Sequence, residues 1–140
     1  MPKFYFEKTV NEERGKVFTL FTDYEQIQKT LPMHFPSVTI RSTRGNTAVI
    51  EEHVRMADFE FVMMTKHFTK FPETHEISVI GGDSKGTQIV ERYESVPEGT
   101  KISVNVVLKF GLLKISLYFK TKKIEKSLIQ IYEDLASMIK

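Results

Sequence analysis

Apolar and polar residues alternate through the middle of the chain, and a helical spacing replaces this alternation near the C-terminus. From Val38 to Phe110 the period is two, which is typical of strands because successive side chains point to opposite faces of a sheet. From Leu112 to Lys140 the period is about 3.6, the helical value. One apolar stripe of this segment consists of Leu117, Ile124, Leu128, Ile131, Leu135 and Met138. The pattern predicts antiparallel strands closed by one long helix, with further strand over residues 113–119 as an alternative.

The N-terminal part of the chain is predicted to contribute one more strand and two short helices. Residues Lys3–Thr9 alternate as a strand. Asn11 is suited to the N-cap of the first helix, because its side chain can accept a hydrogen bond from a free N–H of the first turn. The second helix is predicted from Tyr24 to Thr30, ending before Pro32. These helices are expected to connect strands rather than to form a domain.

Six further strands are predicted, each separated from the next by turn residues. They are Val38–Arg44, Ala48–Met56, Phe59–Phe71, His75–Ile80, Thr87–Val96 and Lys101–Phe110. A two-residue turn at Ala57-Asp58 fixes the register of one hairpin. Its predicted pairs are Met56 with Phe59, Val54 with Phe61, Glu52 with Met63, Ile50 with Thr65 and Ala48 with His67. The later hairpins are predicted to pair Thr69 with Ile77, His67 with Val79, Ile77 with Glu91, Glu91 with Val106 and Tyr93 with Val104.

These registers give the sheet one apolar face. The residues assigned to it are Ile50, Val54, Met56, Phe59, Phe61, Met63, Ile77, Val79, Ile89, Val104, Val106 and Leu108. The opposite face collects mainly charged side chains such as Glu60, Lys66 and Arg92. A slip of one residue would send every side chain of a strand to the other face. The agreement of four hairpins on the apolar face is therefore the main support for the sheet.

Composition and charge narrow the class of protein. A chain of 140 residues with 41% hydrophobic residues is predicted to form one globular domain, residues 1–140. The net charge of +2 is too small to indicate a nucleic-acid partner. The lack of cysteine excludes disulfides and thiolate chemistry, and the four histidines lack close metal-ligand spacing, so no metal or cofactor is expected. Without a signal peptide or an apolar stretch of roughly 20 residues, we expect a cytoplasmic protein.

The order of elements resembles the helix-grip fold. One strand, two short helices, six strands and a closing helix, with the proline- and aromatic-containing segment Leu31–Val38 before the second strand, make the sequence similar to the START/Bet v 1-like superfamily. Within it, the polyketide cyclase/dehydrase and lipid-transport group is most similar. The resemblance covers nearly the whole chain. It implies an α+β fold in which a curved seven-stranded antiparallel sheet wraps around a long C-terminal helix, with a hydrophobic cavity between them. It implies no catalytic residue, because the superfamily has no common catalytic signature.

Polar residues interrupt the apolar face of the predicted sheet at a few positions. Glu52, His67 and Glu91 are ionisable, and Thr65 and Tyr93 add hydroxyl groups. A buried ionised group without a partner costs several kcal/mol, so these residues need partners, water or a ligand. They either orient a ligand or move a proton, or they lie near strand ends and are paired within the protein. Glu91 is expected two strands from His67, roughly 10 Å away and too far for a direct hydrogen bond.

The expected function is binding or transport of a hydrophobic small molecule or lipid. The predicted ligand-binding residues are Glu52, Val54, Phe61, Met63, Thr65, His67, Ile77, Glu91, Tyr93, Val106, Leu117, Ile124 and Leu128. One alternative is a cyclase or dehydratase that uses His67, Glu91 or Tyr93 as acid or base. Another is a protein-interaction module without a ligand.

Two surface features suggest partners. The outward face of the sheet also carries apolar residues, which predicts a homodimer through that face. They are Val49, Val62, Met64, Phe68, Val90 and Val107. Lysines between Lys109 and Lys126 are interleaved with apolar residues, which indicates transient contact with an anionic membrane. The alternative is a solvated helix face whose lysine stems cover apolar surface.

Overall fold

The structure is a computed structural model that describes residues 2–56 and 58–139, without the side chains of residues 112–115. The described residues form seven strands and three α-helices, with one 3₁₀ helix before the last. In chain order these are β1 (Lys3–Val10), α1 (Arg14–Phe21), α2 (Tyr24–Thr30), β2 (Ser37–Arg44), β3 (Thr47–Met56), β4 (Phe59–Lys70), β5 (Thr74–Gly82), β6 (Gln88–Val96), β7 (Gly99–Val107), the 3₁₀ helix (Leu112–Lys120) and α3 (Thr121–Ala136).

The strands form one antiparallel sheet in the order β1-β7-β6-β5-β4-β3-β2. Six consecutive strands, β2 to β7, pair as a meander, and β1 pairs with β7 at the far end. The helices α1 and α2 fill the connection from β1 to β2. The N-cap of α1 is Glu13, whose carboxylate accepts from Gly15 N and Lys16 N, so the prediction of Asn11 as the cap is wrong. The α+β helix-grip arrangement predicted from the sequence is confirmed.

The predicted register of the β3–β4 hairpin is confirmed at each of its five pairs, from Met56 with Phe59 to Ala48 with His67. Ala57, one of the two predicted turn residues, lies outside the described residues. Alternation restricts the hairpin to registers that bury the apolar face, and the two-residue turn predicted at residues 57–58 selects one of them. The inner positions of β3 and β4 are therefore those that the sequence indicates.

The predicted registers of the three later hairpins are each wrong by two residues. Thr69 pairs with His75 rather than Ile77, because the β4–β5 turn consists of residues 71–73 and Glu73 N donates to Lys70 O at 2.7 Å. The β6–β7 turn is shorter than predicted, since Gly99 already pairs with Val96. The observed pairs that replace the predicted ones are His67 with Ile77, Thr65 with Val79, Ile77 with Ile89, His75 with Glu91, Glu91 with Val104 and Tyr93 with Ile102. A slip of two preserves which face each side chain occupies.

The prediction of one long helix from Leu112 is wrong for its first part. Residues Leu112–Lys120 are a 3₁₀ helix and only Thr121–Ala136 is α-helical, and the alternative of further strand is also wrong. The hydroxyl of Tyr118 accepts from Phe110 N at 2.9 Å and donates to Phe110 O at 3.2 Å. This contact holds the segment against the end of the sheet. It is a tertiary contact, which the spacing of apolar residues along the chain cannot predict.

The core lies between the inner face of the sheet and α3. The stripe of α3 buries Ile124, Leu128, Ile131, Tyr132 and Leu135, whereas Met138 lies beyond the end of α3 and is half-buried. Opposite them the sheet buries residues such as Phe61, Val104 and Val106. Each fully buried aliphatic or aromatic side chain contributes about 1.5–3 kcal/mol of transfer free energy, so this contact holds α3 on the sheet.

Candidate functional site

A cavity of about 140 Å³ remains between the sheet and α3. Its walls come from α1, α2, the inner positions of β2–β7, and α3. Eleven of the thirteen residues predicted to bind a ligand line it, namely Glu52, Val54, Phe61, Met63, Thr65, His67, Ile77, Glu91, Val106, Ile124 and Leu128. The other two do not line it. Tyr93 lies behind Glu91 against Phe18 and Phe21, and Leu117 is half-buried in the 3₁₀ helix.

Polar side chains meet on one wall of the cavity, contributed by four neighbouring strands. We call this group the polar cluster, and it consists of Glu52 from β3, Thr65 and His67 from β4, His75 from β5 and Glu91 from β6. All five are inner positions of the pleat. The observed register brings His75 opposite Glu91 and one diagonal step from His67. Three tyrosines add hydroxyls to the cluster, namely Tyr24 from α2, Tyr93 from β6 and Tyr132 from α3.

Hydrogen bonds join the cluster into one chain from Glu52 to Glu91. Glu52 Oε2 is 2.8 Å from His67 Nε2, and His67 Nδ1 is 2.9 Å from His75 Nε2. His75 Nδ1 is 2.8 Å from Glu91 Oε1. His67 and His75 are 4% and 2% exposed, so the chain is shielded from bulk water along its middle. The prediction that His67 and Glu91 lack a direct hydrogen bond holds, and His75 bridges them.

Each carboxylate of the chain is stabilised in its charged form. Burial alone would raise the pKa of Glu91, but His75 and the hydroxyls of Tyr132 and Tyr93 outweigh it and lower that pKa. Tyr93 donates to Glu91 Oε1 at 2.5 Å and Tyr132 donates to Glu91 Oε2. Burial would likewise raise the pKa of Glu52, but the hydrogen bond and charge of His67 lower it overall. Both groups are therefore carboxylates at neutral pH.

The three tyrosine hydroxyls keep their protons. Burial raises the pKa of Tyr24, Tyr93 and Tyr132, and the charge of Glu91 raises each further. They act as hydrogen-bond donors in the cluster.

The hydrogen-bond pattern assigns the protons of the two histidines. His67 Nε2 faces one carboxylate and His75 Nδ1 faces the other, so both nitrogens carry hydrogen. His67 Nδ1 is 2.9 Å from His75 Nε2, and the Tyr24 hydroxyl is 3.3 Å from the same His75 nitrogen. An imidazole nitrogen has a single lone pair, so the His67 ring and the Tyr24 hydroxyl share this one position.

Sequence reasoning missed three members of this arrangement. Alternation places His75 on the inner face, but the predicted register set Ile77 opposite Glu91 and so left His75 out of the site. Tyr132 follows Leu128 by one helical turn, so the helical spacing already placed it on the buried stripe. Tyr24 begins α2, and no sequence pattern indicates that its ring packs on His67, with centroids 4.5 Å apart.

A second, smaller polar group lies on the cavity wall at the end of β7. Ser84 Oγ donates to Lys109 O at 2.8 Å, and Thr87 Oγ1 is 2.6 Å from Ser84 Oγ. Thr87 Oγ1 also accepts from Lys109 N at 2.9 Å. These hydroxyls join the β5–β6 connection to Lys109 after β7 and bond to one another.

The surface features predicted as partner sites are only partly exposed. On the outward sheet face Val62 is 52% exposed and Phe68 is also exposed, whereas Met64 is half-buried. At the end of the 3₁₀ helix Phe119 is 89% exposed beside Lys120. The side chain of Lys114, part of the lysine group, lies outside the described residues.

Within residues 2–56 and 58–139, no group of three or more histidine and acidic side chains is placed to hold a metal ion. No helix in the described part of the chain is long and apolar enough to cross a membrane.

Comparison with known proteins identifies the fold and no sequence family. No family model and no curated protein sequence matches the chain. Among solved structures, TTHA0849 from Thermus thermophilus matches with a TM-score of 0.85 and 12% identity over 97% of this chain and 95% of that one. The Zhui aromatase/cyclase from Streptomyces sp. R1128 matches with a TM-score of 0.80 and 9% identity over 98% and 92%. A START superfamily protein from Mycobacterium smegmatis matches with a TM-score of 0.77 and 13% identity over 99% of each chain. At these identities the likeness establishes the fold, and the chain has the helix-grip fold of START/Bet v 1-like proteins.

Proposed function

We propose that this protein binds a hydrophobic small molecule in the cavity between the sheet and α3. One observation carries the proposal, namely an apolar cavity most of whose polar groups are gathered on one wall. Ligand sites in proteins are concave and mainly apolar, with a few placed polar groups that fix the ligand's orientation. The unfilled space favours ligand binding over a protein-interaction module whose groove is filled by its own side chains.

The size of the cavity limits what fits without movement. A volume of about 140 Å³ is close to the roughly 150 Å³ of an apolar protein cavity that accommodates benzene. It is smaller than the roughly 300–1,000 Å³ of sites for drug-sized ligands. A single ring therefore fits the cavity as it stands. A lipid or a polyketide-like molecule requires the 3₁₀ helix and residues 31–36 to move outward.

The polar cluster supports a role in orienting the ligand. Replacing a buried ion pair by well-packed apolar residues is often neutral or stabilising, so such a pair is weak evidence for stability. Glu52, Thr65 and His67 sit on the cavity wall, where one end of a ligand would meet them. We therefore assign the apolar part of the ligand to the space between Phe61 and Leu128, and its polar end to the cluster.

A specific contact also favours a second candidate, an acid–base enzyme that acts in the same cavity. His67 Nε2 and Glu52 Oε2 are 2.8 Å apart on the cavity wall, and a positioned imidazole–carboxylate pair can transfer a proton to or from a substrate. An aromatase/cyclase is among the structural neighbours. Tyr93 does not line the cavity, so it would act only through Glu91.

Native mass spectrometry of freshly purified protein tests the proposal, with two valine variants as a matched pair. Val106 is buried and lines the cavity, whereas Val107 is the next residue on the outward face. Val106→Phe should fill much of the cavity and abolish any ligand mass that the wild type retains, while Val107→Phe should retain it. Equal retention by both variants would place the ligand elsewhere and overturn the proposal.

The same measurement separates carrier from enzyme through His67→Gln. A carrier should retain one ligand mass in both the wild type and this variant. An enzyme that dehydrates its substrate would leave the variant holding a molecule heavier by one water than the wild type's.

A further inference from the structure

The donor and acceptor groups on the cavity wall determine which polar end a ligand can have. This step rests on the proposed function and concerns the chemical class of the ligand. Nine lining side chains are polar, and they are Tyr24, Glu52, Thr65, His67, His75, Ser84, Thr87, Glu91 and Tyr132. Buried polar groups require partners, so a ligand must supply whatever these side chains lack.

Most side-chain donors on the wall already have acceptors within the protein. The N–H groups of His67 Nε2 and His75 Nδ1 face Glu52 and Glu91. The Tyr24 hydroxyl is the donor held least tightly, because His75 Nε2, 3.3 Å away, has one lone pair and also faces His67 Nδ1 at 2.9 Å. Thr65 Oγ1 donates to Glu52 Oε2 and Tyr132 donates to Glu91. Ser84 and Thr87 donate to Lys109 O, at 2.8 and 3.1 Å. Among the described lining residues, only Tyr24 keeps a side-chain donor that a ligand could use.

One acceptor remains. Glu91 accepts from three donors through both of its oxygens. Glu52 accepts from His67 and Thr65, but both bonds go to Oε2, and its Oε1 accepts from no group in the described part of the chain. The side chain of Glu52 keeps 12% of its surface accessible, against 5% for Glu91, and Glu52 lines the cavity.

The charge of Glu52 also favours a ligand that donates. His67 lowers the pKa of Glu52, so its free oxygen belongs to a charged carboxylate. A ligand carboxylate would meet Glu52 with like charge, which is unfavourable where water is excluded. A hydroxyl or an ammonium group would instead donate to a charged acceptor, the stronger kind of hydrogen bond.

We infer that the cavity selects apolar molecules whose polar end is a hydrogen-bond donor, an alcohol, phenol or protonated amine, and that Glu52 accepts that donor. Aliphatic or aromatic carboxylates are excluded by the same group. Substituting glutamine for Glu52 should invert the preference, because the amide oxygen can keep the bonds to His67 and Thr65 while its NH₂ replaces the free oxygen. The variant then offers a donor where the wild type offers an acceptor.

The inference can be tested by titration calorimetry with probes of one ring. Benzyl alcohol and anisole have the same formula, but only benzyl alcohol can donate a hydrogen bond. Binding of toluene shows whether the cavity accepts a ring at all. The comparison of benzylamine with benzoate shows which sign of ligand charge the cavity prefers. Glu52→Gln should weaken benzyl alcohol and benzylamine binding about tenfold or more, leave toluene within threefold and strengthen benzoate. Glu51→Gln, the same change one residue along on the outward face, is the matched control and should alter none of the five.

The outcomes separate the two proposals. If toluene and anisole bind but the Glu52→Gln change leaves benzyl alcohol and benzylamine unaffected, the inference is wrong and the proposed function stands. If none of the five probes binds, the proposed function fails as well. If Glu52→Gln does not fold, the wild type decides, because benzylamine should bind at least tenfold more tightly than benzoate, and equal or reversed affinities would overturn the inference.

Discussion

Replacing Glu91 with leucine removes the acceptor on which one end of the polar cluster depends. The His75 Nδ1–H and the hydroxyls of Tyr93 and Tyr132 lose their partner while buried. Each orphaned donor costs about 1–3 kcal/mol, and relief of the buried charge offsets part of the sum. Breaking a buried pair from one side costs about 3–5 kcal/mol, and we expect Glu91→Leu to lower the free energy of unfolding by that amount.

A second substitution shows whether the loss arises at these hydrogen bonds. In the wild type, Tyr132→Phe removes a hydrogen bond to a charged group and should cost about 1.5–3 kcal/mol. In the Glu91→Leu background the same change removes a hydroxyl that has no acceptor. It should then be neutral or stabilise by about 1 kcal/mol, so the cost seen in the wild type disappears or changes sign.

Urea unfolding followed by circular dichroism at pH 7 measures all four proteins of this cycle. Tyr118→Phe is the control, because among the described residues the Tyr118 hydroxyl bonds only to backbone groups of Phe110. Its effect should therefore add to that of Glu91→Leu within about 0.5 kcal/mol. An equal cost of Tyr132→Phe in both backgrounds would refute the reasoning. If Glu91→Leu is too unstable to measure, Glu91→Gln should give a smaller cost of Tyr132→Phe than the wild type does, because its amide is a neutral partner for the hydroxyl.

Three further predictions concern pH, motion and association. Folding lowers the pKa of Glu52 and Glu91, so the unfolded chain binds protons more readily, and the free energy of unfolding should fall as pH drops below about 4.5. The free energy of unfolding of the Glu91→Leu variant should fall less steeply with decreasing pH in urea titrations between pH 3 and 7. Equal slopes for the variant and the wild type would contradict this. Amide exchange should be faster at residues 117–119 than at residues 128–135 and should slow with ligand, whereas uniform protection would exclude a gate at the 3₁₀ helix. If the outward sheet face forms a homodimer, Met64→Glu should give monomers in sedimentation, and a wild type that is monomeric at high concentration would exclude the dimer.

The alternation of side chains along a strand determines how much of the sheet can be predicted from the sequence. Alternation determines which face a side chain occupies, so Glu52, His67 and Glu91 were correctly placed on the inner wall. It does not distinguish registers that differ by two residues, since both bury the same face. The turn at residues 71–73 places His75 opposite Thr69, and the connection from β5 to β6 places His75, rather than Ile77, opposite Glu91.

The connectivity of the site therefore could not be predicted from the pattern, although most of its members could. The bridge from Glu52 to Glu91 requires His75 at one register position, and the third donor to Glu91 comes from Tyr132 on another layer. The helical stripe indicated that Tyr132 is buried, but not what its hydroxyl reaches. The start of α3 was mispredicted for a similar reason, because the contact of Tyr118 with Phe110 is tertiary.

Methyl NMR of valine-labelled protein titrated with toluene tests the binding cavity most directly. Val54, Val79 and Val106 line the cavity, whereas Val62 and Val107 lie on the outward face of the same sheet. A bound ring should shift the three inner methyl signals in proportion to occupancy and leave the two outer signals in place. Shifts confined to Val62 and Val107, or no saturable shift at any of the five, would contradict a ligand-binding cavity between the sheet and α3.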